Sequence, residues 1–142
     1  MDMDEPTGRW MLVVEDNPDD ERLATRTFKQ AGRAEEWRVA RDGEEALELL
    51  KATVPPTLVL LDLKLPRLSG VEVLTAIRDD SRLGNTPVVV LTSSDERTDL
   101  AACYALGCNA FVRKPVEFHE YTRDLRTTLD FWLNVNLAPP VD

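Results

Sequence analysis

Charged side chains stand where three short apolar runs end. Glu15-Asp16 follows Met11-Leu12-Val13-Val14, Asp62 follows Leu58-Val59-Leu60-Leu61, and Lys114-Pro115 follows Ala110-Phe111-Val112. Two acidic points and one ammonium suit metal-assisted phosphoryl chemistry. Carboxylate oxygens hold a small hard cation, and a compact ammonium takes phosphoryl oxygens. The reading requires the three run ends to meet, which depends on the elements that carry them.

Trp10 to Val14 reads as a first strand, and Asn17-Pro18 opens a helix, since a proline in the first turn loses no hydrogen bond. That helix carries Leu23, Ala24, Phe28 and Ala31 and stops at Gly32. Trp37 to Ala40 is a short second strand. Asp42-Gly43 turns into a helix over Glu44 to Ala52, which Pro55-Pro56 closes. Leu58 to Leu61 is apolar at every position, as expected of a central strand covered on both faces. Ser69 caps a third helix bearing Val71, Val73, Leu74 and Ile77. Asp79 to Thr86 is a polar loop, and Pro87 to Leu91 a fourth strand. A helix follows from Asp95 to Leu106 with Gly107 as its stop. Ala110 to Val112 is the fifth strand, and the last helix shows Phe118, Tyr121, Leu125, Leu129 and Trp132 at helical steps.

Five strands alternating with five helices predict an α/β fold, a flavodoxin-like doubly wound parallel sheet of order 2-1-3-4-5. Ligands in such sheets bind beyond the carboxyl ends of the strands, where the order reverses, and Asp16 and Asp62 follow the two strands that straddle that point. The expected division is a leader over 1–9, one domain over 10–134 and a tail over 135–142. With 142 residues, we expect no appended effector domain.

The net charge of −9 disfavours a nucleic-acid surface, which is built from clustered Lys and Arg. No run approaches the ~20 apolar residues of a membrane span, and the acidic start Met1-Asp2-Met3-Asp4-Glu5 is unlike a secretory signal, so a cytoplasmic protein without membrane contact is expected. Cys103 and Cys108 match neither a redox pair nor a zinc site and read as small apolar residues. His119, the single histidine, has no partners for a metal set and reads as a surface residue. The run Asp19-Asp20-Glu21 suits the positive end of a helix and is assigned no chemistry.

Taken in order, Glu15-Asp16, Asp62 in Leu61-Asp62-Leu63-Lys64-Leu65-Pro66, Thr92 in Leu91-Thr92-Ser93-Ser94, and Lys114-Pro115 form a signature. Singly, each has an ordinary structural explanation. Together they resemble the receiver domains of two-component response regulators, over about Trp10 to Leu133. The resemblance implies that Asp62 accepts a phosphoryl group from the phosphohistidine of a partner kinase. It also implies Mg²⁺ held by Asp16, Asp62, the backbone carbonyl of Lys64 and, through water, Glu15. Lys114 would then contact the phosphoryl group, with a cis bond before Pro115 aiming it. Thr92 would offer its hydroxyl, and Phe111, read first as a core aromatic, would swing inward as a switch. Lys64 either shields the acyl phosphate or points to solvent. Phe111 stands where many members carry tyrosine.

A narrower resemblance, carried by Arg78 to Pro87 and by Asp130 to Pro140, is to the single-domain regulators of bacterial phytochrome histidine kinases. The consecutive Phe131-Trp132-Leu133, with Val135, Leu137 and Val141 beyond, exceeds what one helix face buries. A homodimer through the fourth and fifth helices, the fifth strand and the tail is expected, the alternative being that the tail folds back over its own domain. The chain lacks a kinase histidine and a GxxxxGK[ST] loop, so the phosphoryl group must come from another molecule. No enzymatic activity is expected beyond phosphotransfer to itself and slow self-dephosphorylation. Two other readings share the chemistry: a haloacid-dehalogenase-type hydrolase, which needs a second acid where Lys64 stands, and a non-phosphorylated docking module, against which the intact signature argues.

Overall fold

The computed structural model describes residues 9–31, 36–51 and 54–139. Strand β1 (Trp10–Val14) leads to helix α1 (Pro18–Gln30), and β2 (Glu36–Ala40) to α2 (Gly43–Leu50). β3 (Leu58–Leu61), α3 (Gly70–Asp79), β4 (Val88–Thr92), α4 (Arg97–Ala105), β5 (Ala110–Arg113) and α5 (Phe118–Asp130) follow. The sheet is parallel throughout, in the order β2-β1-β3-β4-β5. This is the predicted topology, with β1 and β3 adjacent at its centre.

Side-chain alternation along each strand builds two cores. Leu12, Val14, Val59, Leu61, Val88 and Val90 face α2, α3 and α4, where Ala46, Leu50, Val73, Leu74, Ile77 and Cys103 meet them. Met11, Val13, Leu58, Leu60, Val89 and Leu91 face α1 and α5, packing on Ala24, Phe28, Tyr121, Leu125 and Leu129. A strand covered on both faces has no position for a polar residue until it ends, which is why the charges fall at the rim.

Local signals account for most boundaries. Asn17 accepts from the N–H groups of Asp19 and Asp20, Asp42 from that of Glu45, and Ser69 forms a capping box with Glu72. α2 ends at Leu50, earlier than expected, and Ala52 lies outside the described residues, as does Gly32. β4 starts after Pro87, whose ring leaves no N–H to pair, although its carbonyl accepts from Val59. α4 is shorter than predicted because Ser94 to Glu96 forms a hydrogen-bonded loop before it. It ends in a Schellman motif: Gly107, at φ 95°, donates to Tyr104, and Cys108 donates to Cys103.

The last helix departs most from expectation. After Asp130 the chain widens into one π-helical turn, Phe131–Val135, closed by Asn136 N–H on the Phe131 carbonyl at 2.7 Å. That turn buries Leu133 and half-buries Trp132, leaving Phe131 45% exposed with its ring edge-on to Trp132. Phe118, predicted on the buried stripe, is exposed and lies against His119, itself a surface residue as expected. Both cysteines are buried and unpaired. No helix among the described residues is long and apolar enough to cross a membrane.

Candidate functional site

Parallel strands end together, so β1, β3, β4 and β5 deliver Glu15-Asp16, Asp62, Thr92 and Lys114 to one edge. The backbone ties them: Asp62 N–H donates to the Val14 carbonyl at 3.1 Å, and Lys114 N–H to the Thr92 carbonyl at 2.7 Å. Carboxylate oxygens of Glu15, Asp16 and Asp62 lie within 4.8 Å of one another. Glu15 and Asp62 are buried and Asp16 is exposed, so the cluster opens to solvent through Asp16.

Lys114 crosses beneath this cluster, 8% exposed. Its Nζ donates to Glu15 Oε1 at 2.5 Å, Asp20 Oδ2 at 2.9 Å and Asp62 Oδ2 at 3.2 Å. Burial alone would discharge the ammonium, but Asp62 and Glu15 outweigh it and hold Lys114 charged well above the ordinary lysine range. Burial pushes the Glu15 carboxyl up to about 7, against the opposing pull of Lys114. Asn17 N–H donates to Glu15 Oε2 at 3.2 Å, and Lys64 N–H to Asp62 Oδ1 at 3.4 Å, so the backbone orients both carboxylates.

The loop after Asp62 is held by close packing. A Cβ on Gly70 would fall 2.2 Å from the Asp62 carbonyl oxygen, and one on Gly43 would fall 2.3 Å from that of Leu68. Both glycines are required by these approaches. Within the loop Arg67 takes φ 69°, a left-handed conformation, with its guanidinium beside Asp42 and Glu44.

The remaining predicted residues take different places. Thr92 is fully buried, and its hydroxyl accepts from Ser94 N–H at 3.3 Å. Phe111 is half-buried against the α2–α4 core, less enclosed than a core aromatic would be. The Lys64 side chain is exposed and points to solvent. The Lys114–Pro115 bond is trans, since no cis peptide occurs among the described residues, which corrects the expected cis geometry. Trans is the ordinary preference of such bonds, and Lys114 reaches its carboxylates in this form.

Asp20 was missed. It lies in the first turn of α1, where dipole complementarity accounts for an acidic residue, and only the tertiary contact with Lys114 reveals more. A groove of about 660 Å³ at the opposite edge of the sheet, between Pro55, Pro87 and Leu133–Pro139, has no acidic residue among the described residues that line it. The acidic edge is therefore the candidate site.

Three acidic oxygen donors in close reach, two of them buried beside one ammonium, fit a divalent cation of oxygen preference. Fold and site together define a doubly wound α/β module with a lysine-clamped acidic centre at its switch point. Residues 11–126 match the response regulator receiver domain, and the chain belongs to that family, the receivers of two-component systems. It is 37% identical over 134 residues to the probable methanogenesis regulatory protein FilR2 of Methanothrix harundinacea, covering 91% of this chain and 86% of that protein. It is 33% identical to response regulator Rcp1 of Synechocystis, covering 91% of this chain and 92% of Rcp1. The crystal structure of Mn²⁺-bound Rcp1 superposes with a TM-score of 0.88 at 32% identity, over 94% of this chain and all of that one. The bacteriophytochrome response regulator AtBRR is 42% identical, with a TM-score of 0.71, over 96% of this chain and all of that one.

Proposed function

We propose that this receiver takes a phosphoryl group on Asp62 from the phosphohistidine of a partner histidine kinase, a bacterial phytochrome, and passes the signal on by altered docking or dimerisation. The contact between Lys114 Nζ and Asp62 Oδ2 at 3.2 Å, beside the acidic cluster, carries the reading. An oxygen of Asp62 forms the new O–P bond as the N–P bond of the phosphohistidine breaks, and the departing imidazole takes up a proton. Attack by one anion on another requires charge neutralisation at fixed positions. Lys114 supplies one positive charge. Asp16, Asp62, the Lys64 carbonyl and, through water, Glu15 would hold Mg²⁺, which when bound neutralises the incoming phosphoryl oxygens. Thr92 would turn its hydroxyl from Ser94 toward the phosphoryl group, and half-buried Phe111 would swing inward with it.

Likeness to AtBRR supports the phytochrome pairing, and likeness to Mn²⁺-bound Rcp1 supports the cation. Leu100, Tyr104, Val116, Phe118, Phe131 and Val135 leave apolar surface on α4, α5 and the segments beside them, which supports a homodimer through this face. A concentration-independent monomer mass in sedimentation would count against it. The acidic, cytoplasmic chain would bind neither nucleic acid nor membrane and would turn over no substrate beyond its own slow dephosphorylation. The deciding test is transfer of radiolabelled phosphate from a bacterial phytochrome kinase to the wild type and to Asp62→Asn. The variant should take up no label, and label retained on another residue would sink the assignment.

A further inference from the structure

We propose that Asp20 is a positioning residue that holds Lys114 aside when a divalent cation occupies the acidic site. The proposal rests on the receiver reading only for the presence of that cation. An ammonium has three hydrogens, and those of Lys114 are taken by Glu15, Asp20 and Asp62 at 2.5, 2.9 and 3.2 Å. Glu15 and Asp62 belong to the cluster whose oxygens lie within 4.8 Å, and Asp20 does not. A cation and Lys114 therefore draw on the same two carboxylates, whereas Asp20 serves Lys114 alone.

Local structure fixes Asp20 for this task. Asn17 donates its N–H to Glu15 Oε2 at 3.2 Å and accepts from Asp20 N–H through Oδ1 at 3.2 Å, so one short turn sets both acids around the ammonium. The Asp20 side chain is 25% exposed, covered enough to be held, whereas neighbouring Asp19 is 79% exposed and paired with Arg22. Without Asp20, Lys114 rests wholly on Glu15 and Asp62, and an arriving cation must displace it from both. Asp20 thus favours cation binding through Lys114 rather than by ligation.

Calorimetric titration of Mg²⁺ into the full chain tests this with Asp20→Asn, Asp19→Asn, Lys114→Met and the double variant Asp20→Asn/Lys114→Met, circular dichroism confirming that each folds. Asp20→Asn should weaken Mg²⁺ about tenfold, the scale of outer partners of metal ligands. Asp19→Asn removes the same charge without touching Lys114 and should stay within about twofold of wild type, as should Asp20→Asn relative to Lys114→Met within the Lys114→Met background. Equal losses from Asp19→Asn and Asp20→Asn, or the same loss with and without Lys114, would overturn the proposal in favour of a general field effect. An Asp20→Asn affinity equal to wild type would also overturn it. A wild type that binds no Mg²⁺ removes the metal site of the receiver reading as well, so the two failures are distinct. If Lys114→Met does not fold, the comparison of Asp19 with Asp20 still decides.

Discussion

Replacing Lys114 by Met removes the single cation beneath Glu15, Asp20 and Asp62 while keeping most of the side chain's apolar volume. At an effective dielectric constant of about 20, each contact between 2.5 and 3.2 Å is worth roughly 5–7 kcal/mol of gross Coulomb attraction. Desolvation of the ions, several kcal/mol each, cancels much of that. The variant nevertheless leaves Glu15 and Asp62 buried without a counter-charge, and breaking a buried pair in this way costs about 3–5 kcal/mol. That is a large share of the ~5–15 kcal/mol that stabilises a domain. Urea unfolding in EDTA, followed by far-UV circular dichroism, should therefore show a much lower midpoint for Lys114→Met. Adding Mg²⁺ should restore more stability to the variant than to the wild type, because a cation then replaces the lost charge without displacing a tethered one; at 100 times Kd the gain is about 2.7 kcal/mol. An unchanged midpoint in EDTA, or equal Mg²⁺ gains for both proteins, would refute the electrostatic account.

Gly70→Ala should cost about 1–3 kcal/mol in urea unfolding and weaken Mg²⁺ in parallel, because a backbone carbonyl cannot yield as a flexible side chain does; unchanged values for both would show that the Asp62 loop tolerates the methyl group. Arg78→Met removes bonds to the carbonyls of Gly84, Thr86 and Gly107 and to Asn109 Oδ1. The loss should exceed about 2 kcal/mol in the same assay, given the cost of unpaired partly buried acceptors. Glu15 binds its proton more tightly folded than unfolded, so between its ordinary 4.5 and about 7 the folded state holds more protons and stability falls as pH rises. Relative to Glu15→Gln, the metal-free wild type should lose stability across that window, and parallel pH profiles would contradict the assignment.

The fold was legible because β3 is apolar at every position and β4 is apolar up to Thr92, and because Asn17, Ser69 and Gly107 act locally at helix ends. The site was legible because a buried strand can carry charge only where it ends, which put Glu15-Asp16, Asp62 and Lys114 in view. Asp20 was not, since a first-turn carboxylate has a sufficient local explanation and its contact with Lys114 spans 94 positions. The π-helical turn escaped for a related reason. No residue from Phe131 to Val135 is a glycine or proline that would mark a change of helix register, and the burial of Leu133 that accompanies the wider turn is a tertiary fact.

Arg78 grips the Gly107 carbonyl at 2.8 Å in the Schellman motif at the far end of α4, while the near end has no side-chain cap and is held through Ser94, whose hydroxyl binds Asp99 and Glu96 N–H. Only Cys103 of that helix is buried. α4 is in effect a lever clamped at its C-terminal fulcrum and latched at its N-terminal tip. The latch begins at the Thr92 hydroxyl, through Ser94 N–H. A rearrangement of that one hydroxyl is placed to act at the end of the helix where the least force moves it farthest.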